Sequence, residues 1–105
     1  MSERELIRAV LAGDAAAERR LYDAHVDRVY RLAYRMAGDP VLAEDFTQDT
    51  FVRAFTHLPG FRGQAAFSTW LHSIAMSVVL NGLRKVKRSR HWETDPEAAP
   101  EQGAE

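Results

Sequence analysis

No cysteine occurs in the 105 residues, and the chain has only four prolines, six glycines and no long uninterrupted hydrophobic run. The lack of cysteine excludes a disulfide framework and a thiolate zinc site, and it agrees with a reducing cytoplasm, where we expect the protein to reside. Polar or charged residues interrupt every apolar run well short of a bilayer span, and no signal peptide is recognisable. We therefore expect no membrane insertion.

Apolar residues make up 46% of the chain, and most of them recur at spacings of three and four. This period predicts amphipathic helices, and the scarcity of turn residues favours a helical bundle over a sandwich or barrel. Asp14 and Asp39 are suited to N-cap two of the helices, and Gly13 and Gly38 to end the helices before them. The prediction is an all-α, compact bundle of about four helices, expected over residues 3–12, 14–37, 40–58 and from about 67 onward.

Charge is unevenly distributed. All fourteen lysines and arginines lie within residues 1–92 together with ten acids, whereas residues 93–105 contain five acids and no base. The body therefore carries a formal charge of about +4 and the tail −5. The tail is rich in Pro, Ala, Gly and Glu without hydrophobic periodicity, which is typical of a linker. We expect one helical domain over residues 1–92 and a disordered acidic linker or tail over residues 93–105.

The outer side of the third predicted helix is formed by Glu44, Asp45, Gln48, Asp49 and Val52. Asp45 and Asp49 are four residues apart and share a face, so their like charges disfavour the isolated helix by a few tenths of a kcal/mol. A basic partner would relieve that cost. The alternative is an ordinary solvated face, with Arg53 as the counter-ion of Asp49 on the same helix.

A loop with aromatic flanks follows this helix, with Phe61 before it, Gly63 inside it and Phe67 after it. An aromatic side chain beside Arg62 and Gln64 is suited to stack on a nucleobase while polar groups bind the base edge. The alternative is that both phenylalanines fill the core. The core is favoured for Phe67, because this residue is in phase with the apolar stripe of the next helix.

The last predicted helix ends in a cluster of basic residues: Arg84, Lys85, Lys87, Arg88 and Arg90. Positive charge there complements the helix macrodipole and would attract a phosphate backbone. A solvated end that only complements the dipole is the alternative interpretation.

Three blocks of sequence together carry a family resemblance: LYDAHVDRVYRLAYRMAGDP, LAEDFTQDTFVRAFTHLPGFRG and AFSTWLHSIA followed by the basic end. Over residue 21 to about residue 90 the chain resembles the second conserved region of bacterial sigma factors of the extracytoplasmic-function group. The resemblance implies a helical domain that docks on RNA polymerase and helps to open the promoter minus-ten element. The same docking surface is a plausible target for an anti-sigma factor.

The resemblance also implies roles for residues of this chain. Binding to the clamp helices of the polymerase β′ subunit is expected of Glu44, Asp45, Gln48, Asp49 and Arg53. Capture of a flipped base of the non-template strand is expected of Phe61, Arg62, Gly63, Gln64, Ala65, Ala66, Phe67 and Ser68, with Ser77 bordering the base-reading surface. Contact with the DNA backbone is expected of Arg84, Lys85, Lys87, Arg88 and Arg90.

Two departures from the family pattern bear on these expectations. Ser73 and Ser77 stand where many members have an arginine and an asparagine, so the base preference near Ser77 is expected to be altered or weaker. Family members also have a C-terminal domain that reads the minus-thirty-five element, and we expect that domain to be absent here. Binding of promoter DNA by this chain alone is therefore expected to be weak.

Two other classes of function remain. A helical protein-interaction module would use the acidic face but would leave the basic end beside an aromatic loop unexplained. Catalysis is disfavoured, because Ser68 and His72 have no third group to orient the histidine and no evident oxyanion donor. The four histidines show no metal-ligand spacing, and no cofactor is expected.

Overall fold

The computed structural model describes the backbone of residues 1–94 and the side chains of residues 1–89. Four α-helices follow one another: α1 (Glu3–Leu11), α2 (Ala15–Ala37), α3 (Pro40–His57) and α4 (Phe67–Thr94), with a short 3-10 turn at Leu58–Gly60 before the loop of residues 61–66. No strand occurs among the described residues, and the predicted all-α bundle is confirmed. The predictions for residues 95–105 and for the side chain of Arg90 lie outside the described residues.

The helix ends are fixed by local hydrogen bonds that the sequence predicts. The Asp14 carboxylate accepts hydrogen bonds from the backbone N–H groups of Ala16 and Ala17, at 3.0 and 3.2 Å. Asp39 caps α3 in the same way and precedes a proline in the first turn. Gly38 ends α2 in the left-handed conformation, with φ of 67°, which glycine adopts without steric cost.

The central helix of the bundle is α2, which packs against α1, α3 and α4. Two apolar clusters fill the interior. The larger lies near the loop and contains Ile7, Leu21, Val29, Phe51, Ala54, Leu58, Phe67, Leu71 and Ala75. The smaller lies near the α2–α3 corner and contains Ala33, Ala43, Phe46, Val78 and Val79. Together they hold α4 across both α2 and α3.

One apolar position of α1 lies outside the core. Leu11 shares the apolar side of α1 with Ile7 in the sequence pattern, yet Ile7 is buried and Leu11 is 48% exposed. Leu11 borders a cavity between α1 and the loop instead of the core.

The close approach of α3 and α4 depends on Gly82. A Cβ atom placed there would lie 3.0 Å from Cδ1 of Phe46 and still closer to two other ring atoms. Only glycine leaves room for the ring. Over the described length of the chain, no helix is both long and apolar enough to cross a membrane.

Candidate nucleic-acid interface and docking face

The outer side of α3 presents the predicted acidic face. Glu44, Asp45 and Gln48 are exposed, whereas Asp49 is half-buried. Arg53 Nε donates a hydrogen bond to Asp49 Oδ1 at 3.2 Å, which is the pairing within one helix that the sequence offered as an alternative. Both side chains are about half exposed, so this ion pair contributes little to stability. Among the described residues, no basic group pairs with Asp45.

Two exposed valines extend this face beyond the acidic residues. Val41 is 67% exposed and Val52 is 63% exposed. With Asp45 and Gln48 they form a stripe at positions 41, 45, 48 and 52, the spacing of one helix seam. We call these four residues the docking stripe. The sequence analysis did not single out Val41. Its seam spacing to Val52, an apolar residue on the outer side of α3, was a usable signal.

The two phenylalanines at the ends of the loop, Phe61 and Phe67, lie in different environments. Phe67 is 3% exposed, and its ring packs in the core with ring centroids 5.0 Å from His25 and 5.7 Å from Trp70. The core interpretation of Phe67 is therefore the correct one, and its ring is not free to stack on a base. Phe61 is half-buried, with its centroid 4.9 Å from Trp70, and forms the edge of the aromatic cluster.

The polar part of the loop faces solvent. Arg62, Gly63, Gln64, Ala65 and Ala66 are all exposed, and Ser68 is half-buried at the start of α4. Gly63 has a φ of 74°, a conformation that other residues adopt only with strain. The backbone therefore takes a left-handed turn at Gly63, within a run of five exposed residues.

A row of polar side chains continues along α4 from Ser77. Arg84 Nη1 donates to Asn81 Oδ1 at 2.9 Å, and Asn81 Nδ2 lies 3.5 Å from Ser77 Oγ. Ser73 instead donates to the carbonyl of Trp70, so its hydroxyl proton is engaged by its own helix. Asn81 was not singled out from the sequence, but it lies one turn after Ser77 and offers an amide on the same row.

Ser77 also borders a groove between α3 and α4. The groove has a volume of about 340 Å³ and is lined by Arg53, His57, Trp70, Ser73, Ile74, Ser77 and Val78. It contains Arg53 from the predicted polymerase-binding set and Ser77 from the predicted base-binding set. The two predicted surfaces therefore meet along this groove.

The basic end of α4 is exposed at Arg84, Lys85, Lys87 and Arg88. At 3.6 residues per turn, Arg84, Lys87 and Arg88 share one side of α4 and Lys85 lies beside it, so these cations form a partial collar over about half of the helix circumference. Such a partial collar suits a phosphate backbone that passes along this side of the helix. In the part of the chain that the structure describes, no group of three or more His, Asp or Glu side chains could hold a metal ion.

Comparison with known proteins places most of this structure in one family. The family model described as Sigma-70 region 2 matches residues 21–89. The chain is 37% identical over 87 residues to the ECF RNA polymerase sigma factor SigW of Bacillus subtilis, which covers 83% of this chain and 46% of that protein. It is 44% identical over 66 residues to SigE of Mycolicibacterium smegmatis, covering 63% of this chain and 25% of that protein.

A third relative is the ECF RNA polymerase sigma factor BldN of Streptomyces coelicolor, 42% identical over 76 residues, which covers 71% of this chain and 29% of that protein. The chain thus spans about a quarter to a half of the length of these curated relatives. The matched range contains α2, α3, the loop and the described basic end of α4. The chain therefore belongs to the sigma-70 region 2 family, in the form found in ECF RNA polymerase sigma factors.

Proposed function

We propose that this chain is the part of a transcription initiation factor that docks on RNA polymerase and opens promoter DNA at the minus-ten element. The observation that carries the proposal is the family match over residues 21–89, because this one range holds the docking stripe, the loop and the basic end. The proposed role is binding, without catalysis and without a cofactor.

Docking is assigned to the outer side of α3. The docking stripe has the spacing with which one helix packs along another, and a helical partner such as the β′ clamp helices would cover both valines. Asp45 lies between the valines without an ionic partner of its own among the described residues. An arginine of the partner would supply that charge, raise the association rate and fix the register.

Base capture is assigned to the loop. Extruding a base costs a few kcal/mol of stacking and pairing, which contacts in a pocket can offset. The half-buried ring of Phe61 offers an aromatic surface for stacking, and Arg62, Gln64 and Ser68 offer polar contacts to the base edge. Binding the separated strand better than the duplex shifts the population towards the open promoter.

Phosphate binding is assigned to the collar at the end of α4. Contacts from Arg84, Lys85, Lys87, Arg88 and Arg90 would position the domain without specifying sequence. Ser77 and Asn81 lie between this collar and the groove beside α3, so they are placed to contact bases next to the strand held by the collar.

The deciding experiment measures binding of the purified chain to fluorescent non-template-strand oligonucleotides with randomised minus-ten sequences, with core polymerase and without it. We expect selection of a sequence only with polymerase. Association with polymerase but no selected sequence would retain docking and remove base reading. No association at all would leave the alternative, a helical interaction module.

That alternative is favoured by one observation, the exposure of Val41 and Val52. An apolar seam of this kind suits any amphipathic helix, including one from an anti-sigma factor. One surface can serve both functions in turn, because an anti-sigma factor that covers the docking stripe would exclude polymerase from it.

A further inference from the structure

Acidic residues are missing from a long stretch of this chain that includes the basic collar. Residues 50–92 contain no Asp or Glu, and the next acid is Glu93. The ion pairs between residues four apart that occur on α2 and α3 have no counterpart at the collar, because α4 offers no carboxylate before Glu93. A partner for these cations must therefore come from outside residues 50–92.

The collar cations are exposed, and the described contacts leave their charge largely uncompensated. Arg84 donates a hydrogen bond to Oδ1 of Asn81 at 2.9 Å, but this amide is neutral. Within residues 1–89, whose side chains the structure describes, no carboxylate pairs with Arg84, Lys85 or Lys87. Arg84 and Arg88 are four residues apart, so their like charges repel each other. An anionic partner would relieve this repulsion.

The acids missing from α4 follow it directly. We call residues 93–105 the acidic segment, and its acids are Glu93, Asp95, Glu97, Glu101 and Glu105. Their number equals that of the collar cations at positions 84, 85, 87, 88 and 90, so the formal charges cancel. The acidic segment has no base, no aromatic residue and no Val, Ile, Leu or Met. Ionic contacts are therefore the main side-chain contacts that it can offer to a folded surface.

The length of the acidic segment is sufficient for contact with the whole collar. From Arg84 to Thr94, α4 rises about 15 Å at 1.5 Å per residue. A chain spans at most about 3.3–3.6 Å per residue, so about five residues after Thr94 cover that distance, besides those that reverse its direction. Glu101 and Glu105 come later than that in the sequence. Both carboxylates are therefore within reach of every collar position.

Attachment to the same chain compensates for the weakness of single ion pairs. An exposed pair contributes little by itself, because water and salt screen the two charges. A short connection, however, holds two binding partners at an effective concentration of the order of millimolar. Non-specific binding of proteins to DNA has dissociation constants of the order of 10⁻⁴–10⁻⁶ M. Several weak pairs within one chain are therefore able to compete with such binding.

We infer that the basic collar is a docking surface for the chain's own acidic segment, which competes there with the phosphates of DNA. This inference rests on the proposed function, because it takes DNA as the second ligand of the collar. Duplex DNA carries one charge per about 1.7 Å, more than the acidic segment can present, so it displaces the segment where further contacts support binding. Weak binding to arbitrary sequences by the free chain is reduced.

The first test measures binding of the free chain to a duplex oligonucleotide of arbitrary sequence by fluorescence anisotropy at several salt concentrations. The triple variant Glu97→Gln, Glu101→Gln, Glu105→Gln should bind roughly threefold more tightly, or better, at about 0.05 M salt. This gain should shrink towards about 0.2 M, because salt also loosens the acidic segment from the collar. The variant should therefore show a steeper fall of log K with log salt than the unchanged chain.

A matched control separates docking of the acidic segment from a general effect of net charge. The variant Glu18→Gln, Asp23→Asn, Asp27→Asn adds the same charge at exposed positions of α2. We expect this control to gain much less affinity for DNA than the variant of the acidic segment. Equal gains in the two variants would overturn the inference.

A second measurement detects the contact without DNA. Because the chain has no cysteine, Ala104→Cys introduces a single thiol that can carry a nitroxide spin label. We expect the label to broaden the amide NMR signals of Arg84, Lys85 and Lys87, and to broaden them less when the three glutamates are replaced by glutamine. The comparison keeps chain length and attachment constant. Broadening that does not depend on the glutamates would reflect attachment alone and would overturn the inference.

The collar variant Lys85→Gln, Lys87→Gln separates this inference from the proposed function. Loss of DNA binding in the collar variant, without an effect of the glutamates on affinity or broadening, would overturn the inference and leave phosphate binding by the collar intact. Unchanged DNA binding in the collar variant would remove the phosphate-binding assignment of the proposed function. Broadening that depends on the glutamates would still support docking of the acidic segment in that case.

Discussion

The two aspartates of α3, Asp45 and Asp49, differ in their ionic contacts. Asp49 accepts a hydrogen bond from Arg53 at 3.2 Å, whereas Asp45 has no ion pair among the described residues and lies between Val41 and Val52 on the docking stripe. An incoming arginine would share the Asp49 carboxylate with Arg53, whereas both carboxylate oxygens of Asp45 are available to it. Asp45 is therefore the better candidate for the main ionic contact.

We predict that Asp45→Lys weakens binding to isolated β′ clamp helices by about tenfold or more, because it places a cation where an arginine of the partner is expected. Asp49→Lys should have a smaller effect, since Arg53 already neutralises that position. Affinity measured by titration at two salt concentrations, with helicity followed by circular dichroism, checks this. Asp27→Lys on α2 is the control, and equal losses at all three positions would indicate only a general charge effect.

We predict that Phe61→Ala reduces binding to single-stranded minus-ten oligonucleotides by roughly tenfold, in line with about 1–3 kcal/mol for stacking on one base. Gln64→Ala should reduce it by up to about tenfold, in line with about 0.5–1.5 kcal/mol for one hydrogen bond to the base edge. Binding to the closed duplex should change much less, because its bases are inside the stack. Parallel titrations with both DNA forms test this difference. Equal loss on duplex DNA would mean that the loop contacts only the backbone.

At the scale of the helix, α4 packs closely on α3 because residue 82 has no side chain. The Phe46 ring that occupies this space is 8% exposed and surrounded by Ala43, Val78 and Val79. The ring therefore has little room to rotate away. The position of the basic collar relative to the groove beside α3 depends on this contact.

We predict that Gly82→Ala lowers the free energy of unfolding by about 1–2 kcal/mol, although alanine is normally the better helix former by about 1 kcal/mol. Overlap with Phe46 outweighs the gain in helix propensity. Urea unfolding provides the measurement. Gly60→Ala, where a Cβ would meet nothing within 4 Å, should be neutral or slightly stabilising, and a similar result for both variants would refute the packing argument.

The helices were predictable from the sequence where the determinants are local. Asp14, Asp39 and Gly38 act through bonds to residues within four positions, so their pattern alone predicts the ends of α2 and α3. The core position of Phe67 followed from its phase with the next helix. Contacts between distant residues were not predictable, because helix period carries no information on crossing geometry. Examples are Gly82 against Phe46, Glu3 on His25 and the cavity beside Leu11.

The candidate site was predicted in outline for a different reason. The three blocks of sequence resemble a known family, and this resemblance supplied roles that periodicity could not. The resemblance did not point to Val41, Asn81 or α1, since these residues become relevant only when neighbouring exposed side chains are seen together. Helix spacing was a usable signal for Val41. No sequence signal located the cavity between α1 and the loop.

Across the whole molecule, a formal net charge of −1 conceals a basic body, so the average charge is a poor guide to DNA binding. The acidic residues of the docking side, Glu44, Asp45 and Asp49, lie on α3, whereas the cationic collar lies at the end of α4. Under the proposed function, this separation would let polymerase and DNA bind at the same time without competing for one surface. It also predicts that added positive charge weakens partner binding on the acidic side of α3 and strengthens DNA binding at the collar.

We predict that binding of the polymerase-bound chain to duplex promoter DNA falls with salt, and that the collar contributes a slope of roughly −3 in log K against log salt if about three of its residues each neutralise one phosphate. Lys85→Gln with Lys87→Gln should reduce the magnitude of the slope by about two across all sequences. Fluorescence anisotropy at several salt concentrations provides the data. Arg31→Gln serves as the control, and a change in sequence preference would argue against pure phosphate contact.

The loop and the basic collar are attached to the same continuous helix, α4. From Phe67 to Arg84 this helix rises about 26 Å at 1.5 Å per residue. With about 3.4 Å per nucleotide along a stacked strand, that length corresponds to about seven or eight nucleotides. If the loop captures the base and the collar binds a phosphate, as proposed, the protein sets the distance between the two, and a promoter with different spacing must stretch, compress or bend its DNA.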